Sequence, residues 1–68
     1  MSDQYKTTDV IQGKVLAALP WVGGRKTDAV ARHASLEEDT VRRALEDLLR
    51  RGMVTIDDRN YWRKKPLD

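Results

Sequence analysis

One apolar row limits this chain more than any other feature. Val41, Ala44, Leu45, Leu48 and Leu49 recur at i, i+3, i+4, i+7 and i+8, which puts them on one face of an α-helix. Gly52 follows where a helix closes through the left-handed conformation. Such a helix must lay its apolar face on something, and 68 residues offer little choice. A chain of this size buries roughly 60% of its unfolded surface. Its core rarely supplies more than about 3–5 kcal/mol. No cross-link helps: there is no cysteine, and a single histidine, His33, cannot hold a structural zinc alone. The expectation is one domain around one core, in a reducing compartment such as the cytoplasm.

The rest of the chain divides around that helix. Residues 1–7 are polar and unpatterned and read as a flexible lead-in, with Thr8 as N-cap and Asp9 favourably placed in a first turn. Ile11, Val15, Ala18 and Leu19 then mark the buried face of a first helix, broadened by Val10 and Leu16. Gly13, a poor residue in a helix interior, implies close packing against a neighbour. Pro20 ends the helix. A loop, Trp21 to Lys26, follows, with Trp21 expected to cover one end of the core. Thr27 reads as the N-cap of a short second helix, Asp28 to His33, whose apolar members are Ala29, Val30 and Ala34; Ala34-Ser35-Leu36 reads as a tight turn. After Gly52, Met53 to Ile56 and Tyr61 to Lys64 are short strand patterns joined by Asp57-Asp58-Arg59-Asn60, a β-hairpin. Of Tyr61 and Trp62 one must face the core, and register alone leaves open which. Pro66 stops the hairpin, giving a domain over residues 8–65 and a tail over 66–68. The longest weakly charged stretch, Val15 to Gly24, is too short to span a bilayer, and no signal-peptide pattern opens the chain.

This order of elements, with the stretch from Thr27 to Val54, strongly resembles the winged helix-turn-helix superfamily of bacterial and phage regulators. The resemblance rests on a small residue in the second helix, Ala31, and another in the turn, Ser35, with the aliphatic Leu36 after it. Thr40-Val41 then opens the long helix, and Leu45, Leu48, Gly52, Met53 and Val54 lead into the wing. It covers residues 9 to 65. It implies a small α+β fold, a three-helix winged helix-turn-helix with a C-terminal two-stranded β-hairpin wing. It also implies binding to double-stranded DNA in transcription or a phage- or plasmid-type DNA transaction, commonly as a homodimer. Without a dedicated dimerisation helix, a dimer would use the first helix, Trp21 or the wing. Two positions differ from the family pattern: Glu37 stands where Ser or Thr usually caps the long helix, and Glu37-Glu38-Asp39 makes its entry acidic.

The resemblance implies that the third helix enters the major groove with its N-terminal half nearest the bases, placing Glu38, Asp39, Thr40, Arg42 and Arg43 at the DNA. A guanidinium can donate two bonds to guanine, worth ~1–3 kcal/mol of discrimination, while an acid can accept from cytosine N4. The same charges also fit a solvated face, since Glu38–Arg42, Asp39–Arg43, Glu46–Arg50 and Asp47–Arg51 are i,i+4 pairs in the favourable orientation. Thirteen Lys+Arg against eleven Asp+Glu leave a net charge of only +2, so position matters more than sum. The positive charge gathers in the wing, where Arg59, Arg63, Lys64 and Lys65 lie within seven residues, a pattern suited to phosphates or the minor groove. Arg25, Lys26 and Thr27 offer a further phosphate clamp at a helix start.

Catalytic readings fail, and neither enzyme, cofactor nor metal is expected. Gly23-Gly24-Arg25-Lys26-Thr27 lacks the glycine before lysine of a phosphate loop and the strand that should precede it. His33 has no nucleophile or second ligand beside it, and Asp57-Asp58 is turn composition without the further oxygens calcium requires. The alternative to DNA binding is a protein-interaction adaptor of the same fold, docking on a nucleic-acid enzyme or host factor, which near-neutral charge and the acidic helix entry favour. Winged helices that recognise left-handed nucleic acid also carry a wing Trp, but their helix tyrosine and wing prolines are missing here.

Overall fold

The structure, a computed structural model, describes residues 2–66, with side chains from residue 9 onward. Met1 of the expected lead-in, and Leu67 and Asp68 of the expected tail, lie outside the described residues. Three helices precede one antiparallel hairpin: α1 (Ser2–Ala17), α2 (Thr27–Ala34), α3 (Glu38–Arg50), β1 (Val54–Ile56) and β2 (Trp62–Lys64). This α+β layout is compatible with a winged helix.

α1 begins earlier than its cap signal, so Thr8 lies inside the helix rather than at its start. No Pro or Gly precedes Gly13 to interrupt it. Its buried face is Gln12 and Val15, continued by Ala18 and Leu19 just past its end, with Ile11 and Leu16 packed against the core. Val10, expected on that face, is exposed, because five residues carry it about 140° round the helix from Val15. Gly13 is not a packing glycine either: it is exposed, and a Cβ there would meet nothing within 4 Å. The helix tightens as it ends, Ala18 N donating to Lys14 O and Val15 O and Leu19 N to Leu16 O, each at 3.1 Å.

α2 starts one residue ahead of expectation. Lys26 occupies the cap position in extended conformation and makes no side-chain cap bond. The Thr27 hydroxyl is engaged elsewhere, accepting from Trp62 Nε1 at 3.1 Å; a buried indole N–H needs an acceptor, and this one ties the hairpin to α2. Ser35 takes the left-handed conformation (φ 57), and Leu36 N donates to Ala31 O at 3.0 Å, closing the turn as its small residue suggests. Glu37 precedes α3 without capping it. At the other end Gly52 (φ +75) donates to Leu49 O and Met53 N to Leu48 O, both at 3.0 Å, a Schellman closure.

The core joins all five elements through Val15, Leu19, Val30, Val41, Leu45, Leu48, Val54 and Trp62, with small Ala18, Ala31 and Ala44 letting the helices approach. Leu49, at the edge of the α3 apolar face, is 41% exposed. The hairpin pairs Val54 with Lys64, Thr55 with Arg63 and Ile56 with Trp62. Alternation then puts Val54, Ile56 and Trp62 on the core side and Thr55 and Arg63 on the outer side. Trp62 is the buried aromatic and Tyr61 is half-buried. Trp21, expected to cover the core, is 60% exposed, its place in a thin core taken by Trp62.

One feature has no forerunner in the sequence pattern. Arg25 forms an antiparallel bridge with Trp62, its N–H donating to Trp62 O at 2.8 Å and its C=O accepting from Trp62 N at 2.7 Å. Lys64 N donates to Pro20 O at 2.9 Å. Residues 20–26 therefore run along the outer edge of β2. Gly24 permits this: its φ is +118, and a Cβ there would lie 2.8 Å from Tyr61 Cβ.

Candidate nucleic-acid interface

The wing begins with its turn. Asp57 Oδ1 accepts from Arg59 N at 2.9 Å and Tyr61 N at 3.0 Å, an arrangement that lets Asn60 adopt φ 67. The Tyr61 N–H, with help from Arg59 and Arg63, holds this carboxyl below the ordinary aspartate value. Arg59 is thereby fixed at the tip and exposed. Arg63 stands exposed on the outer face of β2, and Lys65 is exposed beyond it. Lys64 sits at the edge with Nζ 5.0 Å from the Trp21 ring centroid. Lys26, carried alongside by the Arg25 bridge, places Nζ 5.7 Å from the Tyr61 ring.

Among the described residues the ion pairs are Asp28–Arg32 at 3.7 Å, Asp39–Arg42 at 3.4 Å and Asp47–Arg51 at 3.1 Å. Lys26, Arg59, Arg63, Lys64 and Lys65 enter none of them. The hairpin and the loop beside it thus carry cations on both sides, Arg63 outward and Lys64 on the opposite face beside Trp21, with Trp21 exposed and Tyr61 half-buried next to Lys26.

The Arg25, Lys26 and Thr27 clamp does not assemble as expected. The Arg25 guanidinium turns inward and donates to Ala18 O, a carbonyl freed where α1 ends. Thr27 uses its hydroxyl on Trp62. Lys26 alone remains at the surface, and it joins the wing instead.

On α3, Asp39, Arg43, Glu46 and Arg50 fall at i, i+4, i+7 and i+11 and are all exposed, one outward row of alternating sign. Glu38 and Arg42 are exposed beside it, while Thr40 is half-buried toward α1. Thr40 and Arg43 border a shallow groove between α1 and α3 with Ile11, Gln12 and Asp47. Of the four expected i,i+4 pairs only Asp47–Arg51 is present; Asp39 pairs at i+3 with Arg42, leaving Glu38, Arg43, Glu46 and Arg50 outside any ion pair among the described residues. Asp47–Arg51 has a reason beyond spacing, since buried Gln12 donates to Asp47 and accepts from Arg51, tying α3 to α1.

The residue that sequence reasoning missed is Trp21, which it assigned to covering the core; of Tyr61 and Trp62 it left open which faces inward. No periodicity signals an exposed tryptophan; the Gly23-Gly24 pair after it is the one hint that the loop turns sharply. Among the described residues no cluster of His, Cys, Asp or Glu could hold a metal ion, and no helix is long and apolar enough to cross a membrane. Compared with family models, curated proteins and solved structures, the chain matches none.

Proposed function

We propose that the protein is a winged-helix module that binds double-stranded DNA, acting in transcription or in a phage- or plasmid-type DNA transaction. In this reading α2 and α3 form the helix-turn-helix, α3 lies in the major groove, and the hairpin grips the backbone. The observation that carries it is the wing: Arg59, Arg63 and Lys65 exposed, Lys64 beside them, and none in an ion pair among the described residues. Cations held on a hairpin outside any close ion pair suit phosphate contact, since no such pair has to break first.

The test is a titration of labelled random-sequence duplex at several salt concentrations. Four wing contacts imply a slope of log K on log[salt] near −3.6, so affinity should fall about 150-fold between 50 and 200 mM salt. Arg63→Ala should flatten that slope by about 0.9. Absence of binding at low salt would overturn the reading. The adaptor alternative is favoured by the outward row of α3, where Asp39 and Glu46 alternate with Arg43 and Arg50 and leave no net charge. A co-purifying protein together with a failed titration would select it.

A further inference from the structure

We propose that Trp21 is a stacking platform for an unpaired nucleobase, with Lys64 and Lys26 placed to hold the neighbouring phosphates. The inference rests on the phosphate-binding reading of the wing and narrows its ligand to DNA that carries an unpaired base beside a duplex.

A thin core gains by burying every large apolar side chain it has, yet Trp21 is 60% exposed and Val22 85% exposed. The backbone holds them there. Pro20 O is bound by Lys64 N at 2.9 Å on one side of Trp21, and Arg25 is bridged to Trp62 on the other. Between these tethers Gly24 lies too close to Tyr61 for any side chain of its own. Trp21 is therefore a ring on a fixed mount.

Its surroundings are chosen in sign. Lys64 Nζ stands 5.0 Å from the Trp21 centroid and Lys26 Nζ 5.7 Å from the Tyr61 centroid, and neither lysine enters an ion pair among the described residues. Lys64 lies over one face of the exposed Trp21 ring, and an exposed aromatic with a cation beside it is the arrangement that binds single strands without reading sequence: the base stacks, the phosphates meet the charges. A fully paired duplex offers no free base face, since its bases already stack on one another. The platform therefore has a use only at a strand end, a gap or a flipped base.

The experiment compares a blunt duplex with the same duplex carrying a short single-stranded thymidine extension, using the full chain and labelled DNA. Stacking of one base should make the extended duplex bind about 5- to 150-fold tighter. Trp62 is buried, so quenching of tryptophan emission by the extension reports on Trp21. Trp21→Ala should erase the increment, and Trp21→Phe should keep most of it. Should the alanine variant fail to fold, Lys64→Ala must lower the ratio of extended to blunt affinity. Equal affinity for the two duplexes, with the salt slope intact, overturns the platform and spares the wing. Absence of binding to both overturns the wing reading as well. A blue shift of Trp21 emission on phosphatidylserine vesicles without any response to thymidine overturns it in favour of a lipid surface.

Discussion

Alanine in place of Gly24 and alanine in place of Gly13 should move stability in opposite directions. At Gly24 the backbone φ is +118, and an added Cβ would lie 2.8 Å from Tyr61 Cβ and 3.2 Å from Trp62 O. If the loop stays seated, the strained backbone costs about 1–3 kcal/mol. If it lifts away, the two Arg25–Trp62 backbone bonds are lost, each worth about 0.5–1.5 kcal/mol net. These routes are alternatives, so the expected loss is about 1–3 kcal/mol by either one. For a domain of this size each kcal/mol moves Tm by about 4–8 °C. At Gly13 a Cβ meets nothing within 4 Å, and relief of the glycine penalty inside α1 should raise stability by about 0.8–1 kcal/mol. Thermal unfolding followed by far-UV circular dichroism, both variants in one buffer, reads the two signs directly. A Gly24→Ala protein as stable as the parent would mean that residues 20–26 are not seated on β2. A Gly13→Ala protein less stable than the parent would mean that this face of α1 is covered.

Three further outcomes follow from single contacts. Asp39→Ala, alone or with Glu38→Ala, should strengthen binding to random duplex a few-fold, because it removes charge repelling phosphates and frees Arg42 from its 3.4 Å pair; unchanged affinity would place this end of α3 away from the DNA. The Asp57 carboxyl, held below its ordinary pKa by the Tyr61 N–H, contributes stability that is full above the unfolded value near pH 3.9 and disappears as pH falls through the lower folded value. The stability difference between the parent and Asp57→Asn should accordingly be constant above pH 5 and shrink in acid, and a difference independent of pH would contradict the charge argument. Thr27→Val should cost about 1–3 kcal/mol in urea unfolding by leaving Trp62 Nε1 without its acceptor, while Thr27→Ser should be close to neutral; equal midpoints for both would show that the indole N–H reaches water.

Local pattern made much of this architecture legible. The row from Val41 to Leu48 is buried, and Gly52 closes α3 through a left-handed turn, because helix period and glycine's missing Cβ act within a few residues. The hairpin follows in the same way from β-branched Val54, Thr55 and Ile56 before the Asp57–Asn60 turn and aromatic Tyr61 and Trp62 after it. What stayed hidden is non-local or competitive. Arg25 pairs with Trp62 across 37 positions of sequence, between a polar residue after two glycines and a strand end, and no periodicity encodes that. Trp21 and Trp62 have identical side chains, and only the register of β2 decides which is buried. The Thr27 hydroxyl had two suitors, its own helix N-terminus and a buried indole, and the buried one prevailed because its N–H has fewer other partners. For the acids of α3, spacing allowed i+4 partners, and Asp39 takes Arg42 at i+3 instead; exposed pairs are worth too little for spacing to dictate the choice.

The charge layout also bears on how affinity and selectivity would divide between the two elements of a DNA-binding surface. Asp39, Arg43, Glu46 and Arg50 sum to zero along the outward row of α3, so this helix contributes almost nothing to attraction for a phosphate backbone. Wing cations act within a Debye length of about 8 Å at physiological salt, so they offset acid–phosphate repulsion only where they sit beside it. Affinity would therefore come from the wing and be indifferent to sequence. An acid brought into the groove, by contrast, loses its water, and it is compensated only where a base presents a donor such as cytosine N4. Sequences lacking such a donor are penalised rather than merely left unrewarded. Selectivity would then exceed what the weak affinity of so small and nearly neutral a domain leads one to expect. Wing substitutions should lower binding to all sequences alike, and substitutions at Asp39 or Arg43 should change their order.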